Sequence, residues 1–539
     1  MKNRGNNLFF FLLLNLSTIC FNSSAQSADI ILTNGKIFTS DTSQLFVQAL
    51  AIKGNKILNV GSNEFIQKYA SAKTKLINLK GKTVVPGFND AHDHLAWPTP
   101  VGQYFFTEFS VPGLSRIAVI DSLVRLVKLA SPNQWIQGTI GLTVFNDITF
   151  RRKLLDSIAP NNPIALQIMW GHGAIVNSKA LKEIKISDTA TDPISGWYER
   201  APQTKYLTGA LYEGAQFPIW RALTLIEPDK ILKALKLHAQ EELAFGITTV
   251  QNMCSNFSGK QATQFFAKAN LPVRTRIIAM PSSTSFGRSL TEWNNINPQI
   301  TPLIYISGIK YIIDGTPYEQ TALMTKPYPN RSNWYGRLDY PIDTLKQILK
   351  EALSTNRQLM MHIVGDSSTK IVLRLMKQMA SDNQWKVKRV RIEHGVRVVS
   401  EELINEANDM GIIIAHTPQY GMQSPLQKWY STGIHMAVAP DGLINPYLNI
   451  LMMTAQQSNP KENLTREQAV IAYTRGSAYA EFAEKEKGTL AKGMLADLAV
   501  LSQDIFTIPP QQLPSTLSIM TIVDGRIIYE RPESNKFKK

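Results

Sequence analysis

The sequence predicts an α/β protein: a (β/α)8 TIM-like barrel with a large insertion after strand 1, plus a small composite β-sandwich domain from both chain ends. Three observations predict it. Eight short apolar runs alternate with helix-like stretches through the middle of the chain, the pattern of a parallel sheet. The first two runs are separated by about residues 95–245, far more than one crossover needs. Strand-rich segments punctuated by turns lie at both ends, and neither holds enough strands to be stable alone.

Taken in order, residues 1–25 read as a signal peptide. MKNRGNN is positively charged, LFFFLLLNLSTICF is apolar but short for a membrane span, and Ser23 and Ala25 are small residues suited to cleavage. A secreted or periplasmic location follows. Cleavage after Ala25 discards Cys20 and leaves Cys254 alone, so the exported chain cannot form an internal disulfide. The rival reading makes Cys20 a lipid-anchor cysteine, but Ile19 is a poor fit to the small residue expected before it. No later segment has the apolar length of a stable membrane span.

Residues 26–85 carry β-branched runs with Asn34-Gly35 and Gly54-Asn55 as hairpin signals, and 486–533 repeats the style with Asp524-Gly525. These two stretches form the composite sandwich, and 86–485 form the barrel. Its eight strands are expected at 83–90, 246–253, 272–280, 307–314, 358–365, 389–395, 411–418 and 435–442, with helices such as 343–356 and 400–410 between them. A doubly wound open sheet competes, but no Gly-rich phosphate loop follows any strand.

Composition supports a globular chain: 539 residues, 44% apolar and 18% charged, with 28 Pro and 31 Gly. The net charge of +15 is diffuse apart from the Lys536, Lys538 and Lys539 tail. No basic stripe interleaved with aromatics marks a nucleic-acid partner. The expected partner is a small-molecule substrate, and a homo-oligomer is compatible with the sequence.

Chemistry is concentrated in the histidines. Five of the eight, His92, His94, His362, His394 and His416, fall at or just beyond the C-terminal ends of expected strands, the rim where a barrel assembles its site. In His92-Asp93-His94 the two imidazoles share one face of an extended backbone and Asp93 points away. Joined by His362, His394 and Asp441, they offer four nitrogens and a carboxylate, a donor set suited to zinc or a similar metal. His172 in WGHGAIVN can lean into the mouth and polarise a substrate carbonyl. His416, ending strand seven, and Tyr318, in the Pro-rich loop after strand four, can line the pocket. Each residue also has a plainer reading: the histidines as hydrogen-bonded core, Asp441 as a turn residue before Gly442, Lys310 as a solvated or salt-bridged lysine, Tyr318 as loop packing. His238 on LKALKLHAQEEL reads as a surface residue, His435 as structural, and Asp314-Gly315 as the turn that takes the loop out of the barrel.

With PGFNDAHDH, GIKYIIDG, HIVGD, RIEHG, the strand-eight Asp, AYTRGSAYA and KGTLAKGMLADLAVLSQDIF in place, the sequence resembles the amidohydrolase superfamily. Within it the chain looks most like the third amidohydrolase branch, which contains N-substituted formamide deformylases and is related to N-acyl-D-amino-acid deacylases; WGHGAIVNSKAL and DGTPYEQTALMTKPY are similar to features of that branch. The resemblance implies one or two divalent metal ions, with zinc expected. His92 and His94 hold the more buried ion and His362 and His394 the more exposed one. Asp441 is both ligand and proton shuttle, and Lys310 sits where a carboxylated lysine bridges two metals. Buried beside cations, a lysine loses its proton readily, and only the neutral amine takes up CO2.

The reaction expected is hydrolysis of a non-peptide C–N amide bond, as in an N-acyl or N-formyl amine, by attack of metal-bound hydroxide. A cyclic amidase, deaminase, lactonase or dipeptidase would use the same centre. From a different class, a non-catalytic exported binding protein would keep the barrel but has no need of the proton shuttle at Asp441.

Overall fold

The computed structural model describes residues 27–106, 113–329, 331–420, 423–456 and 458–532. The stretch at 1–25 expected as a signal peptide, with Cys20, and the basic tail at 536–539 lie outside the described residues. No described helix is long and apolar enough to cross a membrane.

Eight parallel strands form a nearly closed barrel. They are β1 (Phe88–Asp93), β2 (Ile247–Met253), β3 (Arg274–Ala279), β4 (Ile304–Ile312), β5 (Leu359–His362), β6 (Arg391–His394), β7 (Ile413–His416) and β8 (Met436–Val438), paired in sequence order. Parallel strands covered on both faces need apolar residues throughout, and β1, β2, β5, β6, β7 and β8 are buried at every position. The helices between them are amphipathic. Ile342–Ser354 turns Leu345, Ile348, Leu349 and Ala352 inward, an i, i+3, i+4, i+7 stripe.

Two expectations about β1 and its surroundings are corrected. The run expected as one strand over 83–90 is two: Thr83–Pro86 pairs with Leu498–Leu501 in the sandwich, and Phe88–Asp93 pairs with β2 in the barrel. Gly87 separates them, and a Cβ there would collide with Thr248. His92 and Asp93 therefore lie within the strand and only His94 follows it. The insertion ends earlier than expected, because α1 (Pro228–Phe245) is the helix that leads into β2, and Gly246 caps it in the left-handed conformation.

The inserted residues build a six-stranded sheet in the order 196–200, 207–213, 173–176, 164–168, 136–140, 103–105. It has its own core, including Phe145, Phe150, Leu155, Leu166 and Ile175.

The chain ends meet in two sheets. One holds Ile30–Thr33, Ala49–Lys53, Lys56–Gly61 and Lys75–Asn78; the other joins Lys36–Phe38, Phe46–Val47 and Thr83–Pro86 to Leu498–Leu501, Ser518–Val523 and Arg526–Glu530. Leu32, Leu50 and Ile52 pack against Val84, Leu498 and Ile522 between them. Gly54-Asn55 and Asp524-Gly525 are hairpin turns as expected. Asn34-Gly35 is not one: Ile30–Thr33 and Lys36–Phe38 belong to different sheets, so this turn carries the chain across the sandwich.

Candidate metal centre

The C-terminal ends of the barrel strands bring the six expected ligands together. His92 Nε2 lies 2.8 Å from Lys310 Nζ and 3.7 Å from Asp441 Oδ1. His94 Nε2 is 3.4 Å from the same Asp441 oxygen, and His394 Nε2 is 2.9 Å from His362 Nδ1. Ligand atoms of His92, His394 and Asp441 all fall within 4.8 Å of one another.

Each element aims its residue differently. His92 in β1 and His94 just past its end face the same side, as the i, i+2 spacing on extended backbone requires. In β6, Arg391 and Glu393 share a face, since the guanidinium grips the carboxylate at 2.9 Å through both Nε and Nη2. Strict alternation would turn His394 away from them. It adopts φ +70° instead, and Asp441 has φ +55°. Non-glycine residues in this region are strained by about 1–3 kcal/mol and cluster where function over-determines the backbone.

The surroundings fix which imidazole nitrogens face inward. Glu393 Oε2 lies 2.6 Å from His92 Nδ1, and Thr417 Oγ1 lies 2.7 Å from His394 Nδ1. With Nδ1 of His92 donating to the carboxylate, Nε2 presents its lone pair to the centre, the usual arrangement of a metal-bound histidine. Burial would raise the Glu393 carboxyl, but the Arg391 guanidinium and the His92 hydrogen bond outweigh it and hold it well below the ordinary carboxylate range. Burial and the Lys310 charge bring His92 down to about 4. His362 and His394 are held well below the usual imidazole range by burial and by neighbouring cationic groups, so they are neutral donors. His362 Nε2 is buried without a hydrogen-bond partner. Burial draws the Lys310 ammonium down to about 8. Burial alone would raise the Asp441 carboxyl; the imidazoles of His92, His94 and His394 overcome this and keep it ionised. Neutral nitrogens with free lone pairs around one carboxylate fit a divalent cation.

His172 comes from the insertion and closes over the centre, its ring 4.5 Å from that of His362. Its Nδ1 lies 2.7 Å from Glu213 Oε2, so its Nε2 is free for a substrate. Trp170 stacks on Tyr318 with ring centroids 4.4 Å apart and planes 8° from parallel, joining the insertion to the loop after β4. Both rings line a cavity of about 1020 Å³ together with His172, His362, His394 and Asp441. A second cavity of about 340 Å³ continues beneath, past His92, His94 and Lys310.

Other expectations are revised. His416 lines neither of these cavities: it is buried edge-on against Trp429, and burial lowers it to about 4. His238 is not a solvent-facing residue: its side chain is only 15% exposed and its Nε2 lies 2.7 Å from Asp93 Oδ2. His435 stacks on Tyr479 at 3.7 Å, as a structural residue would. Asp314 anchors its loop by accepting from Leu323 N, Val364 N and Gly365 N at 2.8–3.0 Å. Gly315 is needed there for space, not for a turn, because a Cβ would strike Thr321 and Glu213. Glu213, Glu393 and Thr417 were missed in the sequence. Arg391 and Glu393, opposite charges spaced i, i+2 in an expected barrel strand, are the one signal that could have found them.

Comparison with known proteins bears on the family and the fold. A model described as "Amidohydrolase family" matches residues 75–529. The chain is 24% identical to the N-substituted formamide deformylase of Arthrobacter pascens, over 94% of this chain and 100% of that one. It is 26% identical to the protein LONG AFTER FAR-RED 3 of Arabidopsis thaliana, over 93% and 92%. Among solved structures, an uncharacterized metal-dependent hydrolase from Pyrococcus furiosus superposes with a TM-score of 0.65 at 20% identity, covering 89% of this chain and 100% of that one.

Proposed function

The chain belongs to the amidohydrolase family, and from that premise we propose that it is an exported hydrolase of a non-peptide C–N bond, cleaving an N-acyl or N-formyl amine. The observation that carries the reading is the meeting of His92, His394 and Asp441 within 4.8 Å, with His94, Lys310 and His362 beside them. In this reading those six residues hold one or two divalent ions, zinc foremost, with Lys310 carboxylated where two are held. The ion supplies Lewis acidity, bringing the pKa of a ligand water toward neutrality and polarising the substrate carbonyl.

The rest of the chemistry falls to the side chains. Asp441, ionised and 18% exposed in its side chain, accepts a proton from the attacking water and passes it to the leaving nitrogen, which cannot depart as an amide anion. Burial and the nearby Glu319 and Asp314 carboxylates push the Glu213 carboxyl well above its ordinary range, so as an acid it donates to His172 Nδ1, and the neutral imidazole carries its hydrogen on Nε2, from which it donates to the developing oxyanion. The Trp170–Tyr318 stack shields the centre and offers an apolar wall to the acyl or amine group.

The test is a screen of N-formyl and N-acyl amines, beside esters, lactones and dipeptides, against protein reconstituted with zinc, manganese or cobalt. Chelator-sensitive release of free amine is the expected result. Turnover confined to esters, lactones or peptides would overturn the bond assignment.

A further inference from the structure

Among the described residues a second cluster of ligand-type side chains lies outside this centre: Asp93, His238 and Glu242. Asp93 is the middle residue of the His92-Asp93-His94 run and points from β1 toward α1, away from both imidazoles. His238 and Glu242 are four residues apart on α1, one above the other on the face that meets it. His238 Nε2 lies 2.7 Å from Asp93 Oδ2 and 3.6 Å from Glu242 Oε1, and the three ligand atoms fall within 4.8 Å of one another.

The cluster is poorly satisfied as it stands. Glu242 is wholly buried, and neither of its carboxylate oxygens has a hydrogen-bond partner. Asp93 Oδ2 and His238 Nε2 form an ion pair at 2.7 Å, though not aligned for a hydrogen bond, and Glu242 is the member left without a close partner. No lysine or arginine pairs with any of the three among the described residues. Buried Asp90, three residues before Asp93, adds another carboxyl nearby. Burying ionised carboxylates without a counter-charge is costly, and native structures pair them, protonate them or bind a cation.

We propose that Asp93, His238 and Glu242 form a second cation site, separate from the catalytic centre, that binds a divalent metal of the Zn2+ or Mn2+ type. The donor set of two oxygens and one nitrogen suits a borderline metal. Ligand atoms about 2.1 Å from a tetrahedral ion stand roughly 3.4 Å apart, so the 2.7 Å pair must part by about 0.7 Å while the 3.6 Å pair already stands near that spacing. An entry path exists, because Asp93 and His238 line the 340 Å³ cavity beneath the catalytic centre together with His94 and Glu241. The ion has a structural consequence. Asp93 Oδ1 accepts the His94 backbone N–H at 2.7 Å, so a metal gripping the other oxygen ties α1 to β1 and fixes the backbone that presents His94.

The experiment is an anomalous-scattering map of the full chain, crystallised after saturation with Zn2+ and separately with Mn2+. A peak about 2.0–2.2 Å from Asp93 Oδ2, His238 Nε2 and a Glu242 oxygen is expected, distinct from any peak at His92, His394 and Asp441. E242Q should lose that peak and one equivalent of bound metal while retaining metal at the catalytic centre. A saturated wild-type crystal with no peak here overturns the proposal, whatever the other centre holds, and leaves a proton shared by Glu242 and Asp93 as the resolution. A peak here with the other centre vacant sustains the proposal and counts instead against the hydrolase reading. Should E242Q fail to fold, the wild-type map still decides.

Discussion

The backbone N–H of Asp441 donates to the carbonyl of His92 at 2.9 Å. The bond crosses the seam between the end of β8 and β1, so the joint that closes the barrel also sets the spacing between two candidate metal ligands. The φ of +55° at Asp441 is tolerated because this bond and the His94 contact over-determine it.

Asp441→Asn keeps the shape and a metal-binding oxygen but removes the proton acceptor. We expect metal content by elemental analysis to stay near wild type, with kcat falling about 10²–10⁴-fold. Near wild-type turnover would remove Asp441 from proton transfer.

Glu393→Gln leaves Arg391 with a weaker buried partner and frees the His92 ring to turn. Metal affinity should fall about 10–100-fold, read by competition with a chromophoric chelator. A stability loss of up to about 3–5 kcal/mol should accompany it in denaturant melts. Unchanged affinity would show that His92 is oriented by something other than this carboxylate.

Glu213→Gln and His172→Ala address the arm reaching in from the insertion. Both should lower kcat, the alanine variant by about 10²–10³-fold, with metal content unaltered. Loss of metal in either variant would make His172 a ligand.

Trp170→Ala opens the aromatic stack over the larger cavity. KM should rise for substrates with bulky apolar groups and change little for the smallest formamides, measured as a split between KM and kcat across a substrate series. A uniform fall in kcat alone would make the stack a scaffold.

Cys254 is buried, and burial raises its thiol to about 12. At neutral pH the folded protein should not react with Ellman's reagent. Unfolding should release one thiol per chain if the leader carrying Cys20 has been removed, and two if it has not. Because the folded-state pKa lies above the unfolded value near 9, this group's contribution to stability is complete below about pH 9 and is lost as pH rises toward 12.

The sequence by itself determined the eight strands, their alternation with helices and the candidate ligands at their ends. Apolar periodicity is local and survives in one dimension, and an H-x-H spacing on extended backbone settles which imidazoles share a face. It also determined that the two chain ends needed partners, since neither could bury a sheet alone.

The tertiary structure decided what depends on neighbours hundreds of residues away. His238 looks like a solvent-facing histidine on an amphipathic helix until α1 lies against Asp93. His416 has the position of a pocket residue, yet its ring is buried against Trp429. His394 enters the centre only because its backbone leaves the strand conformation, and no residue pattern records a positive φ at a histidine. Glu213 and Glu393 orient His172 and His92 across separations of 41 and 301 residues. Hydrogen bonds of that reach are set by how whole layers pack, because a carboxylate's partner depends on which surfaces meet once both are removed from water.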